Sequence, residues 1–455
     1  MWRRFLPKDA QREILFALLL LAAAWLAGQA GWNGRPRTVA SSLFWPFYVD
    51  TWFIPAARWS WRALLPLLAM AALWPILRRW LEGNRGLVLL LVGVWIYHLA
   101  VGLVRHGYPD SFTFTFQRPQ EYWWDVHLVK PGFLAKFPDL RLSQHGGTHP
   151  PGVTLFLAAI QKLGFTSMMA AELACTPLAM LGALPLWGAA KRLVSPRAND
   201  SDEIARWAVV LYLLGCSITA FSVLSMDMLI VLLGTVALYG FARILDGELV
   251  GGVICGLALA AATLCSFLSL TLPISWAVIL WASRGRMKRA QWLAIATSVA
   301  TFLGFYGILW AAFGYRPIHV FQVCVDALAK SDDRARSRAR ALIGNPIAFF
   351  GSLGIAFTGL LAHAVWATIQ RRKQLDDLGW LVVAALLPVV FNTSLGLPRA
   401  ELERIYMPFI PLCAVAAAAA ARRWFDRDRT WLTHVAAPLF VIQSILIDTL
   451  YETYW

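Results

Sequence analysis

The chain has 455 residues, of which 59% are hydrophobic and only 15% are charged, and its formal net charge is +15. Soluble globular proteins have about 25% charged residues, so this composition excludes a soluble globular protein. Apolar runs of about 20 residues, each long enough to span a bilayer, recur along the chain without the alternation typical of barrel strands. The sequence therefore predicts an all-α polytopic membrane protein and excludes a transmembrane β-barrel.

The positive charge would indicate nucleic-acid binding in a soluble protein. Here the positive-inside rule accounts for much of it, and we expect no nucleic-acid partner. Five of the six cysteines lie in apolar runs and Cys324 lies in a predicted loop, without zinc or redox spacing, so no disulfide is expected. The arginine- and alanine-rich composition and the absence of eukaryotic sorting features favour a bacterial inner (plasma) membrane.

Four basic residues precede the first apolar run and predict a cytoplasmic N-terminus. That run exceeds the roughly 7–15 apolar residues of a signal peptide, so we expect a retained anchor. In chain order, about thirteen transmembrane helices are predicted. Their approximate ranges are 13–31, 61–78, 86–104, 167–190, 205–223, 227–244, 249–267, 268–283, 290–312, 344–368, 378–396, 405–421 and 431–450.

The segment 152–164 is predicted to be a helix that does not cross the membrane. About 13 residues of helix extend roughly 20 Å, whereas the hydrocarbon core is about 30 Å thick. A crossing here would also place every later basic cluster outside, against the positive-inside rule. We therefore predict a short juxtamembrane or re-entrant helix, with Pro150 and Pro151 in its first turn.

Three regions follow from this topology: N-terminal transmembrane helices (1–104), an extracytoplasmic catalytic loop with the short helix (105–166), and a transmembrane bundle (167–455). The bundle carries two outer loops, 314–343 and 396–406. The large loop contains four of the eight histidines together with several carboxylates and cations. Catalysis is therefore expected at the extracytoplasmic membrane surface.

Glu121 and Asp125 are the first candidate catalytic residues. On an α-helix they would lie at positions i and i+4, on one face, and paired carboxylates suit general-base catalysis or metal binding. The neighbouring aromatic residues would desolvate them and raise a carboxyl pKa. The alternative is a solvated loop with an aromatic anchor at the membrane interface.

His145 and His149 flank two glycines and precede two prolines. The glycines allow the backbone to approach a ligand closely, and two histidines four residues apart can bind a metal or a phosphate. The alternative is a pair of polar residues that cap a helix.

Three further polar positions lie on the predicted outer side. Asp227 begins a helix, where the macrodipole favours a carboxylate, or it lines the site. The segment that starts near Arg316 can bind lipid phosphates or an acidic glycan, or it forms an interfacial amphipathic helix. Arg404 enters an apolar span, where charges are expensive and usually functional, unless a charged loop ends just before that span.

These motifs together resemble the GT-C membrane glycosyltransferases, in particular the protein O-mannosyltransferase and aminoarabinose-transferase group. The order and the side of the membrane agree over about residues 86–411. The matching elements are Glu121-Tyr122 with Asp125, His149-Pro150-Pro151, and Arg404-Ile405-Tyr406-Met407-Pro408.

The sequence also departs from that family. Its members usually carry Asp-Glu or Asp-Asp directly after the first span, whereas two helices precede the matching span here and Glu121 lies well beyond its end. Asp110 is the carboxylate nearest that end, and Gly152 replaces the commoner Leu. The catalytic base therefore stays open among Glu121, Asp125 and Asp110.

The resemblance implies a polyprenyl-phosphate-linked sugar as donor, with a lipid, glycan or protein as acceptor and membrane lipids as surroundings. A carboxylate would take the acceptor proton in an inverting displacement, and cations or hydrogen bonds would stabilise the departing phosphate. Some members of the superfamily use a divalent metal ion and others use none. The residues implied at the donor phosphate are His149, Arg404, Lys130 and Tyr406, and those implied at the substrate are Tyr122, His145, Asp227 and Arg316.

Other functions are compatible with a polytopic membrane protein. A transporter or flippase of a lipid-linked or envelope precursor would show charges in mid-membrane and broken-helix repeats in two halves, and neither is evident in the sequence. A phosphotransferase or acyltransferase would also use Glu121 and His149, although no Ser or Cys nucleophile motif stands out. A non-catalytic assembly protein is the remaining alternative.

Overall fold

The computed structural model describes most of the chain between residues 62 and 424. The predicted first span at 13–31 and almost all of the last at 431–450 lie outside that part. Where the structure describes the chain, its regular elements are helical, so the predicted all-α class is confirmed. The described residues are 62, 64–83, 86–194, 200–223, 225–330, 338–372, 375–395, 402–424, 439 and 443.

The longer helices follow one another with short connections, and the loop before Gly152 contains only short helical turns. The helices are α1 (Leu64–Leu81), α2 (Leu87–His106), α3 (Gly152–Lys162), α4 (Met168–Cys175), α5 (Leu178–Leu193), α6 (Ser201–Leu214), α7 (Cys216–Phe221), α8 (Asp227–Leu245), α9 (Leu249–Cys265), α10 (Leu272–Ser283), α11 (Arg289–Phe313), α12 (Pro317–Lys330), α13 (Arg338–Leu353), α14 (Ile355–Gln370), α15 (Asp377–Leu395) and α16 (Ile410–Trp424).

Seven segments of the described chain are long and apolar enough to cross a membrane. The prediction of about thirteen spans is therefore not confirmed in number, partly because some predicted spans are broken. The predicted span 205–223 divides at Gly215, and 344–368 divides at Gly354. The seven segments are Leu64–Leu81, Leu87–Val104, Met168–Leu193, Asp227–Leu245, Phe267–Arg286, Arg289–Phe313 and Asp377–Leu395.

The helix that begins at Gly152 has 11 residues, too few to cross the bilayer at about 1.5 Å per residue. It packs against the short helical turn Tyr122–Leu128 of the outer loop. A side chain at Gly152 would meet the backbone of Leu264, 2.5 Å from its carbonyl oxygen. Glycine therefore lets the start of α3 lie directly on the end of α9.

Small residues bring the helices of the bundle close together. A side chain at Gly240 of α8 would collide with the backbone of Cys255 in α9. Gly252 and Gly256 of α9 approach the backbone of α11 in the same way, at Ala294 and Ser298. Close backbone approach is one way in which membrane helices gain van der Waals contact, and here it fixes the position of α8.

Several ion pairs lie at helix ends on the side of the bundle that is opposite the start of α8. Arg243, near the end of α8, donates to Glu248 at 2.6 Å. Arg422, near the end of α16, lies 3.1 Å from Asp200, and neighbouring Arg423 donates to Asp376. These arginines belong to clusters that the positive-inside rule predicts to face the cytoplasm, and under that prediction the start of α8 faces the outer side.

An apolar cluster joins the two outer segments that the sequence analysis separated. Phe133 and Phe137 of the large loop pack with Tyr315, Val320 and Cys324. The predicted loop 314–343 therefore contains a folded helix, α12, and Cys324 is buried within it. This corrects the expectation that Cys324 lies in a loop. Because α12 also packs against Gln144–Thr148, it helps to hold the histidine segment in place.

Candidate active site

Glu121 and Asp125 are both buried, at 2% and 3% exposure, but they do not share one helix face. The segment Tyr122–Leu128 is a 3₁₀ helix, and Glu121 precedes it in extended conformation. With three residues per turn, positions four apart point in different directions. The expected α-helical pair is therefore wrong, and each carboxylate has its own surroundings.

Asp125 connects two parts of the outer loop through hydrogen bonds. Its Oδ1 accepts a hydrogen bond from the Ser143 amide at 2.8 Å, and its Oδ2 accepts one from the Ser143 hydroxyl at 2.6 Å. The hydroxyl oxygen in turn accepts from the Gly146 amide at 3.1 Å, which caps the turn Gln144–Thr148. A side chain at Gly146 would collide with Asp125 Oδ2. We call Asp125, Ser143 and Gly146 the loop clamp.

The loop clamp places the two histidines beside Glu121. The His145 amide donates to the Gln120 carbonyl at 3.0 Å, next to Glu121 in sequence, and His145 Nε2 lies 3.9 Å from Glu121 Oε1. The rings of His145 and His149 are parallel within 4°, with centroids 6.2 Å apart. The Tyr122 ring meets both edge-on, at 5.8 and 5.9 Å. A carboxylate, two imidazoles and a phenol thus form one cluster.

Asp227 and Arg404 form an ion pair that acts electrostatically on this cluster. Asp227 begins α8, as predicted, and its Oδ2 accepts from the Ser225 hydroxyl at 2.6 Å. Arg404 Nε lies 3.1 Å from the same Oδ2, and the arginine is 5% exposed. Both residues act electrostatically on Tyr122 and His149, so their charges belong to the same site.

The surroundings of the cluster favour the uncharged forms of the two imidazoles and the phenol. Burial lowers the pKa of His145 well below its usual range, and the positive charge of Arg404 lowers that pKa further. Burial also lowers the pKa of His149, against an opposing effect of Asp227. Burial raises the pKa of Tyr122 well above its usual range. Near neutral pH the imidazoles are therefore uncharged and the phenol keeps its proton.

Four predicted site residues lie elsewhere. Asp110, Lys130 and Arg316 are exposed, and no contact joins any of them to the cluster in the part of the chain that the structure describes. Tyr406 is completely buried, and its hydroxyl lies 3.4 Å from Thr393 Oγ1. Its ring packs edge-on against two phenylalanines of the core. Tyr406 therefore packs in the core, and its place at the donor phosphate stays a prediction.

Two residues that act on the cluster were not predicted. Glu172 in α4 is 5% exposed and interacts electrostatically with Glu121, and Arg118 interacts with His145 in the same way. A lone carboxylate in an apolar span is a recognisable sequence signal, because such charges are expensive and usually functional. Arg118 has no comparable signal, since it is one of several cations in a polar loop.

The described residues contain no group of three or more His, Cys, Asp and Glu side chains arranged to hold a metal ion. Within the cluster, the carboxylate of Glu121 and the imidazole of His145 lie 3.9 Å apart.

The fold resembles that of a solved membrane protein. ArnT from Cupriavidus metallidurans, in the apo state, matches with a TM-score of 0.51 and 18% sequence identity over 76% of this chain and 60% of that chain. The chain therefore shares the helical architecture of ArnT, which confirms the predicted GT-C-like helical bundle as a fold. It spans less than two thirds of ArnT.

Weaker similarities link the chain to an archaeal oligosaccharyltransferase from Archaeoglobus fulgidus. The complex with Zn and sulfate matches with a TM-score of 0.48 and 14% identity, over 79% of this chain and 53% of that one. The protein AglB in complex with an inhibitory peptide and a dolichol-phosphate gives 0.44 and 12%, over 79% and 56%. No family model and no curated protein sequence matches the chain.

Proposed function

We propose that this protein is a membrane glycosyltransferase that moves a sugar from a polyprenyl-phosphate donor to a cell-envelope acceptor on the extracytoplasmic side. The proposal rests on one observation, which is that Glu121, His149 and Arg404 belong to one cluster of polar side chains. These residues come from the outer loop, the start of the short helix and the segment before α16. A proton acceptor, a neutral hydrogen-bond donor and a cation are the groups that displacement of a phosphate at a sugar carbon requires.

Glu121 is the proposed general base. The acceptor oxygen attacks the anomeric carbon while its proton passes to the Glu121 carboxylate, and the bond from that carbon to the phosphate oxygen breaks with its electron pair. Attack from the face opposite the phosphate inverts the anomeric configuration. Asp125 is less suited to this role because both of its oxygens already accept hydrogen bonds from Ser143.

Arg404 and His149 are proposed to stabilise the departing polyprenyl phosphate. A guanidinium offers a planar fork that matches phosphate oxygens, and the ion pair with Asp227 orients it. Burial lowers the pKa of His149, so the proposed contribution is a hydrogen bond from Nε2–H rather than a positive charge. It requires the tautomer in which Nδ1 accepts from the Thr148 hydroxyl, 3.1 Å away. Charged and polar donors held in place before the reaction stabilise a developing oxyanion most effectively.

An apolar crevice is lined by residues of α8, α10, α15 and α16, among them Gly234, Trp276 and Pro408. Gly234 follows Asp227 by two helical turns, and Pro408 closely follows Arg404 in the sequence. A donor with its phosphate at Arg404 would have this apolar part of the helix bundle on its membrane side, which is compatible with a lipid-linked substrate.

The test is transfer by the purified protein in lipid nanodiscs. A panel of polyprenyl-phosphate sugars is offered with candidate acceptors, and release of polyprenyl phosphate is followed for the wild type and for Glu121→Gln. Donor binding is measured alongside, and Asp110→Asn serves as the exposed control. Release that depends on Glu121 is the expected result. Absence of both binding and release would contradict the proposal and favour a transporter.

A further inference from the structure

The helix α12 (Pro317–Lys330) has three different faces. At 3.6 residues per turn, Val320 and Cys324 share the face that is buried against two phenylalanines of the large loop. A second face carries exposed apolar side chains, and a third carries exposed polar ones. We call them the apolar stripe, which consists of Ile318, Phe321 and Val325, and the polar stripe, which consists of His319, Gln322, Asp326 and Lys330.

The apolar stripe is open over much of its area. Ile318 is 75% exposed, and Phe321 and Val325 are each 44% exposed. On the surface of a water-soluble protein, the exposed side of a helix would be polar throughout. A separation of the exposed side into an apolar and a polar stripe is typical of a helix that lies in a membrane interface.

Two candidate membrane spans end beside the apolar stripe. The span α11 ends just before α12 begins, and only 6% of it is buried in the protein. Its last side chains include Trp310 and Phe313, which are 64% and 55% exposed. Phe321 lies edge-on against Phe267, with ring centroids 5.0 Å apart, where the span Phe267–Arg286 begins. The apolar stripe is therefore at the level where these spans leave the membrane.

The helix α12 also supports part of the candidate active site. It packs against the turn Gln144–Thr148, which contains His145. Within this turn the His145 amide donates to the Gln120 carbonyl at 3.0 Å, and the Gly147 amide donates to the Ser143 carbonyl at 2.8 Å. A change in the position of α12 would therefore reach the histidine segment.

We propose that α12 lies in the headgroup region of the leaflet next to the candidate active site, with the apolar stripe in contact with phospholipid, and that this position supports the turn Gln144–Thr148. The 14 residues of α12 extend roughly 20 Å, too little to cross a hydrocarbon core of about 30 Å. Lipid is the occupant because the apolar stripe lies beside the ends of two spans. The inference goes beyond the proposed function and does not depend on it.

Nitroxide labels at adjacent residues test the position of α12 in the full-length protein in phospholipid nanodiscs. Ile318→Cys places a label on the apolar stripe, and His319→Cys places one on the polar stripe. Collisions of each label with oxygen, which dissolves in lipid, are compared with collisions with a nickel chelate, which stays in water. We expect oxygen collisions to dominate at position 318 and nickel collisions to dominate at position 319.

A second pair, Val325→Cys and Asp326→Cys, repeats the comparison further along the helix. The six native cysteines are buried, and labelling of the unsubstituted protein measures their background. Dominant nickel collisions in all four variants would overturn the proposal, because α12 would then be surrounded by water. Dominant oxygen collisions in all four would place the helix inside the lipid and overturn it too. Apolar-stripe labels that neither reagent reaches would show that a protein surface, such as a second copy of the chain, covers the stripe.

Hydrogen exchange tests whether α12 supports the histidine segment. Val325→Asp places a charge on the apolar stripe, where contact with lipid is unfavourable for it, and Gln322→Asp places the same charge on the polar stripe. In nanodiscs we expect the amides of Gln144–Thr148 to exchange faster in Val325→Asp and at the wild-type rate in Gln322→Asp. Equal exchange in the two variants would overturn this part of the proposal.

Unchanged exchange in α8 serves as the control that the bundle remains folded. If Val325→Asp loses protection throughout the chain, Val325→Asn replaces it as a neutral polar variant. The same local increase in exchange at Gln144–Thr148 is then expected, and its absence in the folded variant would overturn the proposed support.

Discussion

Asp227 Oδ2 and Arg404 Nε lie 3.1 Å apart and form an ion pair between two distant parts of the sequence, with the arginine buried and the Asp227 side chain 15% exposed. Asp227 is the first residue of α8, and Arg404 belongs to the short helix Leu402–Ile405 that precedes α16. The pair therefore ties together two outer helix ends and orients a guanidinium toward the histidine cluster. Removing one partner of a buried pair leaves a buried charge without compensation, at a cost of about 3–5 kcal/mol.

The first prediction concerns the shape of the Arg404 side chain. Arg404→Lys keeps the charge but loses the planar fork, so kcat/KM for transfer should fall by about 10²–10³-fold, the usual effect of removing one oxyanion donor. The matched control is Arg316→Lys, an exposed position near α12, which should behave like the wild type. Wild-type kinetics of Arg404→Lys would contradict a role at the phosphate.

Asp227→Ala gives a second measure of the same pair. The free energy of unfolding should fall because the guanidinium of Arg404 then stays buried without its carboxylate. Thermal unfolding in detergent measures the loss. Asp227→Asn keeps an acceptor for the Ser225 hydroxyl and should lose less stability than Asp227→Ala.

The second prediction assigns the base among the three carboxylates. Glu121→Gln should lower kcat by about 10²–10⁴-fold, the usual contribution of general-base catalysis, and leave donor binding unchanged. Asp110→Asn should keep wild-type activity because Asp110 is exposed. Steady-state release of polyprenyl phosphate measures both. If Asp110→Asn were the more damaging change, the assignment of Glu121 would be wrong.

The third prediction concerns the loop clamp. Gly146→Ala should lower both the melting temperature and the transfer rate, because the new methyl group collides with Asp125 Oδ2. Gly147→Ala is the matched control, since the nearest atom to its methyl group would be 3.9 Å away. Thermal unfolding and activity are measured for both variants.

A double variant separates the loop clamp from a catalytic role of Asp125. Removing the Asp125 carboxylate makes room for the methyl group, so Asp125→Ala/Gly146→Ala should be no less stable than Asp125→Ala alone. Such non-additivity is typical of residues in direct contact. Additive losses in the double variant would contradict the contact.

The fourth prediction is a pH dependence of stability. Burial lowers the folded-state pKa of His145 and His149 below the ordinary value, so below about pH 6.5 the unfolded chain binds protons that the folded chain does not. Stability should therefore be highest above about pH 6.5 and fall as the pH decreases, by up to about 1.4 kcal/mol per pH unit for each histidine. Unfolding is measured across this range.

The histidine variants provide the control for that pH dependence. His149→Gln cannot take up a proton, so its stability should fall less steeply below about pH 6.5. His319→Gln, at an exposed position of α12, should keep the wild-type slope. Equal slopes in the wild type and His149→Gln would show that His149 does not contribute to the pH dependence.

The fifth prediction concerns Tyr406, which the structure places in the core. Tyr406→Phe removes the hydroxyl beside Thr393 but keeps the ring packing, so stability should fall by only about 1 kcal/mol. Donor binding should be unchanged. A large rise in the KM for the donor would show that the hydroxyl reaches the phosphate in the working enzyme.

Much of the fold is readable from the sequence because membrane helices depend on local composition. Apolar runs predict helices such as α2, α8 and α11, and the length of 152–164 predicts a helix too short to cross the membrane. The number of membrane spans is harder to predict from the sequence. Glycines at positions 215 and 354 divide two apolar runs, and hydropathy alone does not distinguish an unbroken span from two shorter helices.

The candidate site is readable only in part. The sequence by itself determined which residues are candidates for the chemistry, because Glu121, His149, Asp227 and Arg404 stand out as polar groups near apolar spans. Tertiary structure alone decided their partners. The 3₁₀ geometry separates Glu121 from Asp125, Ser143 makes Asp125 part of the loop clamp, and packing buries Tyr406 in the core. Glu172 interacts electrostatically with Glu121 through long-range packing, which no local pattern encodes.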